Sequence, residues 1–351
     1  MPDSGIDLFD EFAVDLTADG TPATPMVVVP LDAFGTQPPA RIARTAERMN
    51  QALPLVIGVL RGPATPGLTP LLAATTLTLT TDAAANPLPQ AVVVDDIDAA
   101  LDLLGAAVQH SPRAAVACGQ LLRQTVRLPT VPALAAEAAV YSMLLGGNEF
   151  ERWLAERGAA RTVTPPEHAL VRTHRDDDRL TITLNHPQRR NALSMRLRED
   201  LLEAVRLADL DPALTAVEIN GAGPVFSSGG DLDEFGTATD LVAAYLVRLD
   251  RAPWRIIDRI RDRVTVRVHG ACIGAGAEVA AFAGTVIAAP DTYFAFPELR
   301  MGLVPGAGGT VSVPRRIGRW RAAWLMLTEQ RLTAAAALEW GMVDAVEQTR
   351  S

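Results

Sequence analysis

The chain has 351 residues, 48% of them hydrophobic, and its 32 basic and 41 acidic side chains give a net charge of −9. That composition supports a packed core, and the acidic balance argues against non-specific association with nucleic acid or an anionic membrane surface. Two cysteines, Cys118 and Cys272, in so long a chain imply a reducing, cytoplasmic setting rather than a disulfide framework.

Residues 1–25 are acidic, rich in Gly, Pro and Thr, carry no basic-then-apolar leader pattern, and read as a loose arm. Strand-like runs at 26–30, 55–60 and 77–80 place an α/β segment over 26–96. The uncharged stretch 62–81 contains Pro63, Pro66 and Pro70, which exclude a membrane helix. Over 97–160 the period becomes helical, with helices expected at 97–108, 113–126, 132–145 and 149–157. A charged, proline-containing linker, 161–178, leads into a second α/β region, 179–351. There, strands at 180–184, 216–220, 264–268 and 285–289 alternate with helices at 194–208 and 239–261, which means a layered α/β architecture. A faint internal repeat aligns Arg61-Gly-Pro-Ala64 with His269-Gly-Ala-Cys272, an offset of 208 residues.

Three segments of the second half carry chemistry. They are Pro224-Val-Phe-Ser-Ser-Gly-Gly-Asp231-Leu, Gly270-Ala-Cys-Ile-Gly-Ala-Gly-Ala-Glu278-Val-Ala and Phe294-Ala-Phe-Pro-Glu298-Leu-Arg-Met-Gly302-Leu-Val-Pro-Gly306-Ala-Gly-Gly309-Thr. A Gly/Ala turn between strand and helix lets backbone amides approach a ligand, and the first amides of the helix lack intrahelical partners. A second amide from the Gly229-Gly230 loop would complete an oxyanion hole. Glu278 and Glu298 sit in apolar surroundings that raise carboxyl pKa values, as acid/base work near neutral pH requires.

These segments, with His186-Pro-Gln-Arg-Arg-Asn191-Ala-Leu193, resemble the enoyl-CoA hydratase (crotonase) family over about residues 175 to 348. The resemblance implies a crotonase-like fold of ββα superhelical repeats. It also implies oxyanion amides at Gly230 and Ala275, and two catalytic glutamates, Glu278 and Glu298. Further contacts to an acyl-CoA substrate fall by resemblance on Ser228, Gly229, Asp231, Leu232, Gly274 and Gly306, with Arg189 and Arg190 reaching coenzyme A phosphates. No metal or separate cofactor is implied, coenzyme A entering as part of the substrate, and a homotrimer or hexamer is the expected assembly.

The sequence departs from the pattern in its order of parts. The family's closing helices do not follow Gly341-Met-Val-Asp-Ala-Val346; residues 97–160 resemble them instead. The first half therefore reads as a degenerate crotonase-like unit that keeps its helical tail, and the chain as a fused or rearranged pair. On the repeat alignment Pro70 falls opposite Glu278, so the first half has no carboxylate for this chemistry.

Gly274-Ala-Gly-Ala-Glu-Val is not a dinucleotide fingerprint, because its sixth position is Val279. Asp231, Asp233 and Glu234 have no histidine or cysteine nearby, and capping of a following helix explains Asp231 better than a metal does. For the two glutamates the structural alternative is a buried acid paired with an arginine such as Arg300. The leading functional expectation is hydration of a 2-enoyl-CoA. The rivals are a double-bond isomerase using Glu298, and a non-catalytic acyl-CoA-binding or assembly subunit.

Overall fold

A computed structural model describes residues 13–161 and 166–348. The expected arm and linker therefore lie partly outside the described residues, at 1–12 and 162–165.

The first half opens with a turn in which Leu16 bridges Pro22. It is not loose there. The Arg113 guanidinium donates to the Asp19 carbonyl at 2.7 Å and the Thr21 hydroxyl at 3.0 Å. Next come β1 (Met26–Pro30), α1 (Pro39–Gln51), β2 (Leu55–Leu60), α2 (Thr69–Ala74), β3 (Leu77–Thr80) and β4 (Ala91–Val93). The four strands form one sheet in chain order, all parallel. Every residue of β2 and β3 is buried, as strands covered on both faces must be.

Four helices follow: α3 (Ile97–His110), α4 (Pro112–Thr125), α5 (Thr130–Leu145) and α6 (Asn148–Arg157). Asp96 caps α3 by accepting the Asp98 and Ala99 amides. The start of α4 is capped from a distance, the buried Glu149 accepting the amides of Arg113 at 2.8 Å and Ala114 at 3.0 Å.

The second half begins inside the expected linker, with β5 (Val171–Asp176) paired antiparallel to β6 (Arg179–Leu184). Only Val171 of β5 is buried, so its polar, charged sequence gave no alternation to read. Then come α7 (Met195–Leu210), β7 (Ala216–Gly221), α8 (Leu241–Asp250), α9 (Pro253–Arg259), β8 (Val264–Val268), β9 (Ala271–Ile273), α10 (Ala275–Ala280), β10 (Thr285–Ala288) and β11 (Tyr293–Ala295). The single helix expected over 239–261 is two, broken before Pro253, which starts α9 where a missing N–H costs nothing. The chain closes with α11 (Gly309–Thr328), β12 (Leu332–Thr333), α12 (Ala334–Trp340) and β13 (Ala345–Val346). Helix α11 breaks at Gly318, whose φ is +80°.

The main sheet runs β13-β10-β8-β7-β6-β5, parallel except at β5, and a smaller sheet runs β12-β11-β9. Its inward positions alternate along each strand: Leu180, Ile182 and Leu184 in β6, Val264, Val266 and Val268 in β8. The parallel order β7-β8-β10-β13 repeats that of β1-β2-β3-β4, and β3 shifted by 208 residues coincides with β10 end to end.

The halves share one core. Leu55, Leu77, Leu104, Leu121 and Leu134 belong to the same buried cluster as Leu180, Val205, Val266, Phe282 and Leu325. Helix α11 lies against α3, α4 and α5 as well as β3 and β4. The buried Arg319 guanidinium donates to the Thr75 carbonyl at 2.9 Å, and the Thr125 hydroxyl to the Thr310 carbonyl at 2.6 Å. Among the described residues no single helix is long and apolar enough to cross a membrane.

Candidate active site

Asn191 builds the first wall. Fully buried, it donates from Nδ2 to the carbonyls of Ala222, Val225 and Phe226 and accepts the His186 amide at 2.8 Å, so one side chain gathers both loops that follow β6 and β7. Ser227 Oγ donates to the Asn191 carbonyl and accepts the Gly229 amide, a structural use that leaves no nucleophile. Gly229 has φ +92°, and a Cβ there would lie 3.0 Å from the Ile273 carbonyl oxygen. This close approach sets Gly230 beside the start of α10.

Gly274 precedes α10 with φ +45° and ψ −122°, and Ala275 is its first residue. The Ala275 amide therefore has no intrahelical acceptor. Neither it nor the Gly230 amide enters the loop and turn hydrogen bonds around them. Both residues line a cavity of about 540 Å³ together with Glu278, Glu298, Asp231 and Gly306.

Glu278 is 1% exposed and Glu298 8%. Glu278 Oε2 accepts the amides of Ala307 at 2.7 Å and Gly309 at 2.8 Å, at the head of α11. Glu298 Oε2 is buried with no hydrogen-bond partner among the described residues. Arg300 does not pair with it; its ion pair is with Glu329, at 3.6 Å. Burial pushes the Glu298 carboxyl up to about 8. The Glu278 carboxyl is also raised, by burial and by the charges of Glu298 and Glu137, against the pull of its two amides.

Glu137, on α5 of the first half, is the site residue that sequence reasoning missed. It is 2% exposed and accepts the amides of Gly308 at 2.6 Å and Thr310 at 2.9 Å, and the Thr310 hydroxyl at 2.7 Å. Burial raises it to about 7, with those donors and Arg248 opposing. The signal was present: Glu137 is the one charged residue of α5, the same anomaly that marks Glu278 in α10. Tyr141, one turn along α5, closes the cavity against Gly306, where an added Cβ would lie 2.3 Å from its ring.

The remaining expected contacts do not line the cavity. Ser228 donates its amide to the Arg190 carbonyl at 2.9 Å. Arg189 is engaged by Asp231 and, at 2.7 Å, by Asp233, which Arg161 also holds, so it is a strut between loops rather than a free cation. Arg190 is exposed with φ +52°, and Leu232 is exposed. Gly274 adjoins Glu298, whose Oε1 would meet an added Cβ at 2.3 Å. Asp231 caps a turn, accepting the Asp233 amide, and no helix follows it before α8. His269 Nε2 lies 2.9 Å from the Gly223 carbonyl, a satisfied group.

The family described as Enoyl-CoA hydratase/isomerase matches residues 178–350. A probable enoyl-CoA hydratase of Mycobacterium leprae is 34% identical over 167 residues, 47% of this chain and 63% of that protein. One of Mycobacterium bovis is 33% identical over 180 residues, 51% of this chain and 69% of that protein. A trans-2-decenoyl-[acyl-carrier-protein] isomerase of Streptococcus mutans is 36% identical over 172 residues, 48% of this chain and 65% of that protein. The chain thus spans roughly two thirds of the length of these relatives, and the family match lies in its second half. On these grounds and on the four motifs assembled around one cavity, the chain belongs to the enoyl-CoA hydratase/isomerase family.

Proposed function

We propose that the chain adds water across the double bond of a 2-enoyl-CoA to give a 3-hydroxyacyl-CoA. The observation that carries this is the unequal solvation of two buried carboxyls in one cavity. Glu278 is raised by burial and by the charge of Glu298. Protonation of Glu298 removes that charge, and the two amide donors on one Glu278 oxygen then favour the Glu278 anion, whereas Glu298 has a bare buried oxygen, which favours its acid. In this reading Glu278 takes a proton from water as the water oxygen bonds C3. The electron pair moves to the thioester oxygen, held by the Gly230 and Ala275 amides, and Glu298 delivers its proton to C2. Proton exchange between the two glutamates restores the starting state.

The same observation favours one rival. Because Glu278 also anchors the loop at the head of α11, Glu298 alone could carry a proton between two carbons, which is double-bond isomerisation. Assays with 2-enoyl-CoA and 3-enoyl-CoA of equal length separate the two. Hydration of the first supports the proposal, and conversion of the second with no hydration of the first overturns it.

We further infer that the first half is a degenerate crotonase-like unit fused to the catalytic one, its helices α3–α6 serving as the lid. The repeated strand order, the 208-residue offset and the placement of Glu137 and Tyr141 support this reading.

A further inference from the structure

Two arginines of the cavity wall, Arg198 on α7 and Arg248 on α8, are used by nothing in the proposed reaction. Among the described residues neither forms an ion pair, and each has a buried Nε with no hydrogen-bond partner. Arg248 is held rigidly: its guanidinium lies 3.7 Å over the Tyr141 ring and donates to the Gly306 carbonyl at 3.1 Å. Arg198 and Arg248 line the same cavity, and burial and then the charge of Arg248 lower the pKa of Arg198.

Each nearby acid holds another partner. Asp231 is taken by Arg189, and Asp240 caps α8 through the Val242 and Ala243 amides. Glu234, beside Arg198, accepts the Met195 amide at 2.7 Å. Glu137, which feels the charge of Arg248, spends both oxygens on the Gly308 and Thr310 amides. A fixed guanidinium in a cavity wall that has no ion-pair partner among the described residues matches a bidentate anionic acceptor.

We propose that this pair binds a carboxylate at the far end of the acyl chain, making the substrate the mono-CoA thioester of a dicarboxylic acid. This rests on the reading of the cavity as an acyl-thioester site. The coenzyme A phosphates are the other anions available, but they cannot reach Arg248 from a bound thioester. Arg248 holds the oxygen of the Gly306–Ala307 peptide whose N–H is held by Glu278, so it stands one peptide from a reacting carboxyl. The phosphates lie a full pantetheine arm away.

The test is calorimetric binding of two unreactive thioesters of equal length, hexanoyl-CoA and adipoyl-CoA, and of the same acyl groups on pantetheine, which has no phosphate. Adipoyl should bind roughly 10- to 100-fold tighter than hexanoyl on both carriers, the range for a charge-assisted hydrogen bond. Arg198→Gln and Arg248→Gln should each bring that ratio toward one, and if Arg248→Gln does not fold, Arg198→Gln decides. Equal or weaker binding of adipoyl by the unaltered protein overturns the proposal. So does a loss in the variants that is equal for both acyl groups on CoA and absent on pantetheine, since the arginines would then serve the phosphates. Because neither thioester reacts, the result stands apart from the hydration assay, and failure of either leaves the other readable.

Discussion

Glu137 and Glu278, from opposite halves of the chain, divide the consecutive amides at the head of α11 between them: Ala307 and Gly309 go to Glu278, Gly308 and Thr310 to Glu137. A helix start that would otherwise leave several amides unpaired is satisfied by two buried acids, one of which lines the cavity. Glu137→Gln keeps the shape but turns an amino group toward amide donors. It should lower stability by about 1–3 kcal/mol and lower turnover through Glu278, measured by denaturant titration and steady-state kinetics. An unchanged midpoint and unchanged kcat would show that the loop holds without Glu137.

Glu298→Gln is isosteric and cannot donate a carboxyl proton. Turnover of a 2-enoyl-CoA should fall by roughly 10²- to 10⁴-fold while the Kd for a saturated thioester stays within about twofold. Wild-type turnover in this variant would remove Glu298 from the chemistry.

Ala275→Pro deletes one of the two amides proposed as oxyanion donors, at a helix position where proline's fixed φ is tolerated. The expected loss is roughly 3–4 kcal/mol of transition-state stabilisation, with Ala275→Gly close to neutral. Comparable losses in kcat from both changes would assign the effect to backbone geometry instead.

The raised Glu298 carboxyl also fixes the pH behaviour. Its value of about 8 in the folded chain stands above the ordinary 4.5, so between these values the folded state holds a proton that the unfolded state has released. The associated stability is complete below about pH 4.5 and is lost as pH rises through about 8. Calorimetry should therefore show Glu298→Gln gaining in Tm relative to wild type as pH rises from about 5 to about 9. Hydration should decline above about pH 8 as the acid loses its proton. A Tm difference that is flat with pH would mean that Glu298 titrates normally.

A protein beginning at residue 166 keeps Glu278, Glu298 and the amides of Gly230 and Ala275 but loses α3, α4 and α5, which cover α11. It should aggregate or bind a hydrophobic dye strongly, because Met326 and Leu327, 1% and 0% exposed, lie on that helix. A soluble, active fragment would show that the first half is not a lid.

Much of this was legible. Glu278 and Glu298 announced themselves as charges in apolar runs, and glycines marked the loops where backbone meets backbone. The strands 26–30, 55–60 and 77–80 are bounded as their β-branched, apolar composition required. What stayed hidden depended on distance in sequence. Strand β5 is polar because only Val171 meets the core, so no periodicity betrayed it. Arg189 looked like a phosphate ligand until the fold brought Asp231 and Asp233 to it. Glu137 carried the right anomaly, but nothing local says that its partners lie 171 and 173 residues onward.

That separation sets an order of events during synthesis. The helices bearing Glu137 and Tyr141 leave the ribosome long before the loop they hold, since chains emerge from the N-terminus at about 5–20 residues per second. A nascent chain must therefore carry the apolar face of α4 unmatched until α11 has been made, although α8, the main partner of α5, arrives earlier. Closure of the cavity is therefore among the last steps of folding, and a ribosome stalled before residue 308 leaves Glu137 without any of the amides it holds.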